Sequence, residues 1–320
     1  MISVIILNWN GRIHLKECLD SLKYQTYKDF EVILVDNGST DNSVEFVREN
    51  FPDVKILTLN KNVGFSKGNN EGIKIAKSKY IVLLNNDTKV DKYWLEELYK
   101  SICKHPEISF FASKIVFYNE SDKIDSAGDG YAICGAPFKI GHYENRNKHS
   151  QEKIIFGACA GASLYKKEML NDIGLLDDDF FAIYEDGDLN FRAQLKGYKC
   201  LFVPSAVVYH KGSSSIGTLS DFYVYYGQRN VEYLYIKNMP FLLILKNGYI
   251  HFFYNLLAFI YFLIKGRAIK FIMAKIDVLR NLPNLLKKRS FIQNNRKVNN
   301  SYLSTLFEKK WLRTRIKGKL

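Results

Sequence analysis

Four apolar runs near the start of the chain constrain its fold more than any other feature. They read SVIILNW (3–9), EVILVDNGS (31–39), VKILTLN (54–60) and YIVLLNND (80–87). Each is β-rich and nearly continuous in apolar residues, as strands covered on both faces of a parallel sheet are. Helical patterns separate them. IHLKECLDSLKYQ places Ile13, Leu15, Cys18, Leu19 and Leu22 near helical spacing, DNSVEFVREN is a short helix that Asp41 is placed to cap, and VGFSKGNNEGIKIAKSK starts a glycine-punctuated helix. Repeated strand–helix units predict an α/β fold with a mostly parallel sheet and helices on both faces.

In such sheets, ligands bind outside the carboxyl ends of the strands. Here those ends read Asn8-Trp9-Asn10, Asp36-Asn37-Gly38-Ser39, Asn60 to Gly64, and Asn85-Asn86-Asp87-Thr88. One polar, turn-forming end is ordinary. Four in succession point to a polar ligand. No GxGxxG follows the first strand and no GxxxxGK[ST] occurs, which disfavours nicotinamide, flavin and P-loop chemistry.

The regular pattern weakens over 105–155, and KCLFVPSAVVYHKGSS reads as strand, turn, strand and loop. The α/β body is expected to span 1–215. The five cysteines form no CxxC pair, which fits a reducing compartment. MISVIILNWN carries no basic leader and reads as a first strand.

Residues 216–320 differ. A tyrosine-rich helix is expected over 220–238. Pro240 then opens FLLILKNGYIHFFYNLLAFIYFLI, long enough to span a bilayer but interrupted by Lys246, Asn247, Gly248, His251 and Asn255. An interfacial helix or a hairpin is the expectation. Of the net charge of +13, residues 265–320 hold 16 Lys and Arg against 2 Asp and Glu, which leaves 30 against 31 for the rest. The partner expected for this basic segment is an anionic membrane surface, where each basic residue adds roughly 1 kcal/mol. Nucleic acid is disfavoured, because the aromatics cluster with aliphatics and not among the basic residues.

One stretch concentrates charge: FFAIYEDGDLNFR (180–192), with Glu185, Asp186 and Asp188 close together behind apolar residues. Acids are stabilised at a helix start, and Asp188 has Arg192 four residues on as a partner. Metal ligation and general-base chemistry are the alternatives.

The ordered set of motifs is more specific than any single one. VIILNWNG (4–11), VDNGSTDNS (35–43), NVGFSKGNNEGI (62–73), LLNNDT (83–88), the small residues Gly157 to Ala162, YEDGDLNFR (184–192), and His210 followed by Gly212 and Ser213 resemble glycosyltransferase family 2 across roughly the first 215 residues. These are inverting nucleotide-sugar transferases of the GT-A fold. The rhamnosyltransferase-like enzymes of surface-glycan synthesis are the subgroup the chain looks most like.

The resemblance implies roles. Asp36 would contact base or ribose, with Asn8 and Asn10 in the same pocket; the residues alone equally allow an Asx turn. Gly64, Gly68, Asn69, Asn85, Asn86 and Gly161 would flank the nucleotide-sugar. The NND at 85–87 occupies the place of the family's DxD motif, with Asn85 replacing the first acid. Asp87 and His210 would hold a divalent metal, manganese or magnesium, on the diphosphate. Asp186 would be the general base and Glu185 its neighbour in orienting the acceptor.

The expected activity is transfer of a single sugar from a nucleotide-diphosphate donor, dTDP-rhamnose or a UDP-sugar. The acceptor would be lipid-linked or a surface glycan, at the cytoplasmic face of the membrane. The QxxRW of processive synthases is not matched by Gln228-Arg229-Asn230. A nucleotidyltransferase is a second reading, though NWNGRIHLKE lacks its glycine-rich basic loop. A membrane-tethered sugar-binding protein is a third, and a two-carboxylate hydrolase a fourth.

Overall fold

The computed structural model describes residues 1–212 and 219–316. The expected boundary near 215 and Ser213 of the last motif lie outside the described residues. The first elements are β1 (Ile2–Asn8), α1 (Arg12–Lys23), β2 (Phe30–Asp36), α2 (Ser43–Asn50), β3 (Lys55–Thr58), α3 (Phe65–Ile75) and β4 (Tyr80–Asn85). Next come β5 (Thr88–Val90), α4 (Trp94–Lys104), β6 (Phe110–Phe117), β7 (Ile124–Ser126), β8 (Asp129–Ala132), β9 (Pro137–Lys139), β10 (Lys153–Ile155) and β11 (Ala162–Lys166). The α/β body closes with α5 (Lys167–Ile173), α6 (Glu185–Lys196) and β12 (Cys200–His210).

The strands β3-β2-β1-β4 are parallel, as expected. Beyond β4 the sheet turns mixed: β11 inserts antiparallel between β4 and β6, and β12 runs parallel to β6. Side-chain alternation splits the core by face. Ile2, Val4 and Ile6 of β1 pack with α1, α2 and α4, while Ile5 packs with α3, α5 and α6. The near-continuous apolar strands follow from this double cover.

Two local expectations change. Asp41 accepts from the Ser43 amide at 3.2 Å, but also from the Arg12 amide at 2.9 Å, so it ties the starts of α1 and α2 together. The cap position of α2 belongs to Asn42, in left-handed backbone. The expected strand–turn–strand at 200–210 is one strand. Its register against β6 shifts between Val203 and Val207, and that irregularity absorbs Pro204, which cannot donate to the ladder.

The C-terminal region is helical: α7 (Asp221–Asn238), α8 (Phe241–Ile264), α9 (Ala268–Arg280), α10 (Leu282–Asn294) and α11 (Asn300–Leu306), then β13 (Phe307–Glu308) and α12 (Trp311–Ile316). It shares a core with the α/β body. Tyr131, Phe156, Phe180 and Phe191 pack with Tyr233, Leu234, Val278, Leu285, Leu303 and Phe307. The hairpin alternative is replaced by one continuous 24-residue helix, α8. Among the described residues it is the one helix long and apolar enough to cross a membrane, by length and composition.

Candidate active site

Strand register brings the polar ends together. Asn8 lies opposite Asp36, and Leu7 opposite Asn85, so β2, β1 and β4 end at one edge. A cavity of about 810 Å³ opens there, a size suited to a nucleotide-sugar. Asn10, Gly64, Asn85, Asn86, Asp87, Gly161, Glu185 and Asp186 all line it.

Other residues expected at the ligand stand behind this wall. Asn8 is fully buried and bonds on both sides, donating to Asp36 Oδ1 at 3.3 Å and accepting from Asn86 Nδ2 at 2.7 Å. Asp36 accepts from the Ser39 amide at 3.0 Å, which closes the turn after β2. Both orient the cavity wall. Gly68 serves packing: a Cβ there would stand 2.4 Å from Leu7 Cδ1, so α3 lies close on β1 because this residue has no side chain. Asn69 donates to the Phe65 carbonyl at 3.0 Å within its own helix. Gly157 is packed likewise, with no room for a Cβ beside Asn190.

Asn37 and Asn62 line the cavity and brace each other at 3.0 Å. Their place in polar strand ends was the sequence signal for them. Trp9, His14, Phe181, Ile183, Ser220 and Phe222 also line it. Trp9 belongs to a polar strand end and Phe181 and Ile183 to the acidic stretch, whereas nothing in the sequence pattern separates His14, Ser220 and Phe222 from surface residues. Phe222 and Ser220 come from the start of α7, so the C-terminal region completes the wall.

The three acids of 185–188 divide into separate environments. Asp188 is fully buried, and burial opposes its charge, yet Lys237 and Arg192 hold its pKa below the usual value. It meets Arg192 Nε at 2.8 Å, Lys237 Nζ at 2.8 Å and Asn238 Nδ2 at 2.7 Å. Asp186 accepts from the backbone amides of Ala160 at 3.2 Å and Gly187 at 2.7 Å, and burial raises its pKa. Burial and the adjacent Asp186 push Glu185 up to about 8. Its Oε2 is buried with no hydrogen-bond partner. Such a carboxyl is protonated near neutrality and can donate to an incoming hydroxyl oxygen.

The loop before these acids is strained. Phe181, Ile183 and Tyr184 all have positive φ, at 60°, 71° and 68°, unfavourable for bulky residues. α7 holds it: Asn230 Nδ2 reaches the carbonyls of Phe180, Ala182 and Ile183 at 2.9, 2.8 and 2.7 Å, and Arg229 donates to those of Asp179 and Phe180. Arg229 and Asn230, in the segment that does not match the synthase motif, thus clamp the acidic loop.

Asp87 lines the cavity and His210 stands beside it without lining it: His210 Nε2 lies 3.4 Å from Asp87 Oδ1, and its Nδ1 lies 2.8 Å from Asp125 Oδ2. Burial opposes protonation of His210, but the two carboxylates raise its pKa to about 9. Burial also opposes the charge of Asp87, while His210 and His14 hold its pKa below the usual value. Asp87 Oδ2 is buried and has no hydrogen-bond partner. Without a cation His210 is protonated near neutrality and pairs with Asp87; a divalent cation that accepts oxygen and nitrogen would displace the Nε2 proton and take the bare Asp87 oxygen with it.

A second group, Asp129, Cys159 and Asp186, brings ligand atoms within 4.8 Å of one another. Burial and Asp186 push Asp129 well above the usual carboxylate range, and burial raises the Cys159 thiol. Acid and thiol would have to lose protons to hold a cation, and the group surrounds Asp186.

The family model for glycosyl transferase family 2 matches residues 3–174, over half the chain. The chain belongs to glycosyl transferase family 2. GlyG of Streptococcus pneumoniae serotype 4 is 28% identical over 227 residues, covering 68% of this chain and 72% of GlyG. GlyA of the same organism is 28% identical over 222 residues, 67% of this chain but 31% of GlyA. N-acetylglucosaminyl-diphospho-decaprenol L-rhamnosyltransferase of Mycobacterium tuberculosis is 23% identical over 242 residues, 68% of this chain and 78% of that enzyme. A crystal structure of GalNAc-T7 with UDP, GalNAc and Mn2+ aligns with a TM-score of 0.56 at 18% identity, covering 74% of this family 2 chain and 50% of the other. The family 2 fold, GT-A, is therefore shared with it.

Proposed function

We propose that this family 2 member is an inverting glycosyltransferase. It moves one sugar from a nucleotide-diphosphate donor to a hydroxyl of a lipid-linked or surface glycan. The observation carrying the proposal is that one cavity is lined both by Asp186, a carboxylate with raised pKa, and by Asp87, an anionic carboxylate with a bare buried oxygen. Inverting transfer needs these two chemistries in one place.

Asp186 takes the proton of the acceptor hydroxyl as that oxygen attacks the anomeric carbon. Its raised pKa makes it a better base than an ordinary aspartate. The Ala160 and Gly187 amides fix its carboxylate. Glu185 orients the acceptor. Asp87 and His210 would hold a divalent cation, manganese or magnesium, and when bound it neutralises charge on the departing diphosphate. Asn85, Asn86, Asn37 and Asn62 offer neutral hydrogen bonds to the nucleotide. The donor is dTDP-rhamnose or a UDP-sugar: the likeness to the mycobacterial enzyme supports transfer of rhamnose, and that to poly-β-1,6-N-acetyl-D-glucosamine synthase of Staphylococcus epidermidis supports transfer of N-acetylglucosamine.

We further place the protein on the cytoplasmic face of the membrane, with α8 lying along the surface. Phe241, Leu245, Phe252 and Ile264 of α8, with Ile269 of α9 and Phe291 of α10, are each more than 60% exposed. The opposite side of α8 packs Leu243, Tyr254 and Phe262 against the protein and carries two polar residues: His251 meets Glu232 at 3.0 Å and Asn255 meets Lys275 at 2.6 Å. A helix packed along one side on charged Glu232 and Lys275 and apolar on the other suits an interface better than a bilayer interior.

The deciding experiment presents the purified protein with a panel of nucleotide-sugars and lipid-diphosphate sugar acceptors. The product's anomeric configuration is read by NMR. An inverted product is expected; a retained one rejects Asp186 as a direct base. Pyrophosphate release from a sugar 1-phosphate and a nucleoside triphosphate would instead favour a nucleotidyltransferase.

A further inference from the structure

We propose that Asp125 is a positioning residue for His210, gripping the imidazole at Nδ1 so that Nε2 is presented to the cation and diphosphate at Asp87. The inference rests on the reading of Asp87 and His210 as the cation's ligands.

The sheet builds this contact. His210 ends β12 opposite Phe117 of β6, and β7 pairs with the same stretch of β6, Ile124 opposite Val116. Asp125 therefore arrives beside His210 from 85 residues away, with Oδ2 2.8 Å from Nδ1. Its side chain is 3% exposed. A carboxylate so enclosed is costly unless its oxygens are fully used.

They are used in a divided way. Oδ1 takes the Lys139 ammonium at 2.6 Å and faces His142 Nδ1 at 3.3 Å. His142 Nδ1 also lies 2.8 Å from the Asp125 backbone carbonyl. Lys139 thus balances the charge of Asp125 and occupies one oxygen, which leaves Oδ2 for the histidine. Burial opposes that charge, yet Lys139 and the two histidines hold the carboxyl well below its usual range.

An imidazole has one ring nitrogen to give a cation, and the proton on the other decides which. With Nδ1–H donated to Asp125, the proton that a cation displaces is the one on Nε2, which leaves the lone pair on the nitrogen facing Asp87. The hydrogen bond also stops the ring from rotating and raises its basicity as a ligand. Without Asp125, His210 keeps its place on β12 but loses both its tautomer and its orientation.

The test measures Mn2+ binding by the full chain, from the electron paramagnetic resonance of free Mn2+, with UDP and separately with dTDP in excess. Asp125→Ala should weaken Mn2+ binding about 10- to 100-fold, the range for outer-shell partners of a ligating histidine. Asp125→Asn should lose less, because its amide oxygen still accepts from Nδ1–H. The double variant Asp125→Ala/His210→Ala should bind no worse than His210→Ala, since Asp125 acts through the ring. A double variant weaker by the product of the two single losses would overturn the proposal, as would unchanged binding by both Asp125 variants. If Asp125→Ala does not fold, as judged by its urea midpoint, the near-isosteric Asp125→Asn is carried through the same comparison. Failure of the wild-type protein to bind Mn2+ with either nucleotide would instead remove the cation reading, and this inference with it.

Discussion

The side-chain amide of Asn230 lies 2.9 Å from the carbonyl oxygen of Phe180 and donates to it. This contact joins the C-terminal helix α7 to the loop that sets the proposed base. Asn230 is fully buried, and the carbonyls of Ala182 and Ile183 share the same amide. Its removal leaves the partly buried carbonyls of Ala182 and Ile183 without this donor, at about 1–3 kcal/mol each at most, while Arg229 still reaches Phe180. It also frees three residues with positive φ to relax. Asn230→Ala should lower stability by about 2–3 kcal/mol in urea unfolding and reduce kcat at least tenfold. Asn230→Asp should be worse, because it turns an acceptor toward acceptors. Undiminished kcat in a folded Asn230→Ala protein would show that the loop holds its shape unaided.

Replacement of the proposed base separates chemistry from binding. Asp186→Asn keeps the shape but only one of the two backbone amide contacts, since its single oxygen replaces two acceptors, and it cannot take a proton. It should lower kcat by about 10²–10⁴-fold, the usual worth of general base catalysis. Affinity for the nucleotide, measured calorimetrically, should stay within a few-fold. Unchanged turnover would leave only a sugar-binding role for the site.

Asp87 should be the residue most responsible for cation dependence. Asp87→Ala removes the bare Oδ2 and half of the pair with His210. Mn2+ titration of activity should shift to concentrations at least tenfold higher. Equal activity of the wild type with excess chelator present would rule out a catalytic cation altogether.

Glu185 gives the protein a pH signature. Its pKa is about 8 in the fold, raised first by burial and then by Asp186, against an ordinary value of 4.5. Between those values the unfolded chain has lost the proton and the folded chain retains it. Folding stability from this group is therefore complete below pH 4.5 and falls as pH rises toward 8, by about 2–5 kcal/mol. Glu232 acts with opposite sign. Burial would raise it, but His251 and Lys275 hold it at about 2, so its contribution is present above pH 4.5 and fades on acidification. Urea midpoints of Glu185→Gln should show less decline between pH 5 and 8 than those of the wild type. An identical decline would mean that Glu185 is ionised in the fold.

What the sequence made legible follows from the range of the forces involved. The strand ends could be read because a doubly covered parallel strand must be apolar until it leaves the sheet. Asp188–Arg192 could be read because four residues is one helical turn. Asp125 could not. It sits in KIDSAGDG, without periodicity, and only the pairing of β7 and β12 with β6 brings it to His210. The role of Asn230 was hidden for the same reason, since it acts on a loop 47–50 residues away. Asn8, Asp36, Gly68 and Asn69 carry the family pattern yet stand behind the cavity wall. A motif fixes the backbone around a ligand as well as the atoms facing it.

Membrane attachment can be tested on exposed residues that do not support the fold. Leu245 and Phe252 on α8 are 65% and 63% exposed, so charged replacements cost the folded protein little. If α8 lies in the interface, these side chains enter the acyl boundary and the basic residues of α9 and α10 meet anionic headgroups. Leu245→Glu/Phe252→Glu then loses apolar burial and adds two repelled charges, each about 1 kcal/mol near an anionic surface. Binding to phosphatidylglycerol-containing vesicles in flotation should fall at least tenfold, while urea stability stays unchanged. Wild-type binding should weaken in high salt, because the electrostatic part is screened. A bilayer-spanning α8 would behave differently: high salt and alkaline carbonate would leave the protein in the membrane. Wild-type protein that ignores anionic vesicles at low salt would leave the apolar face of α8 to another partner.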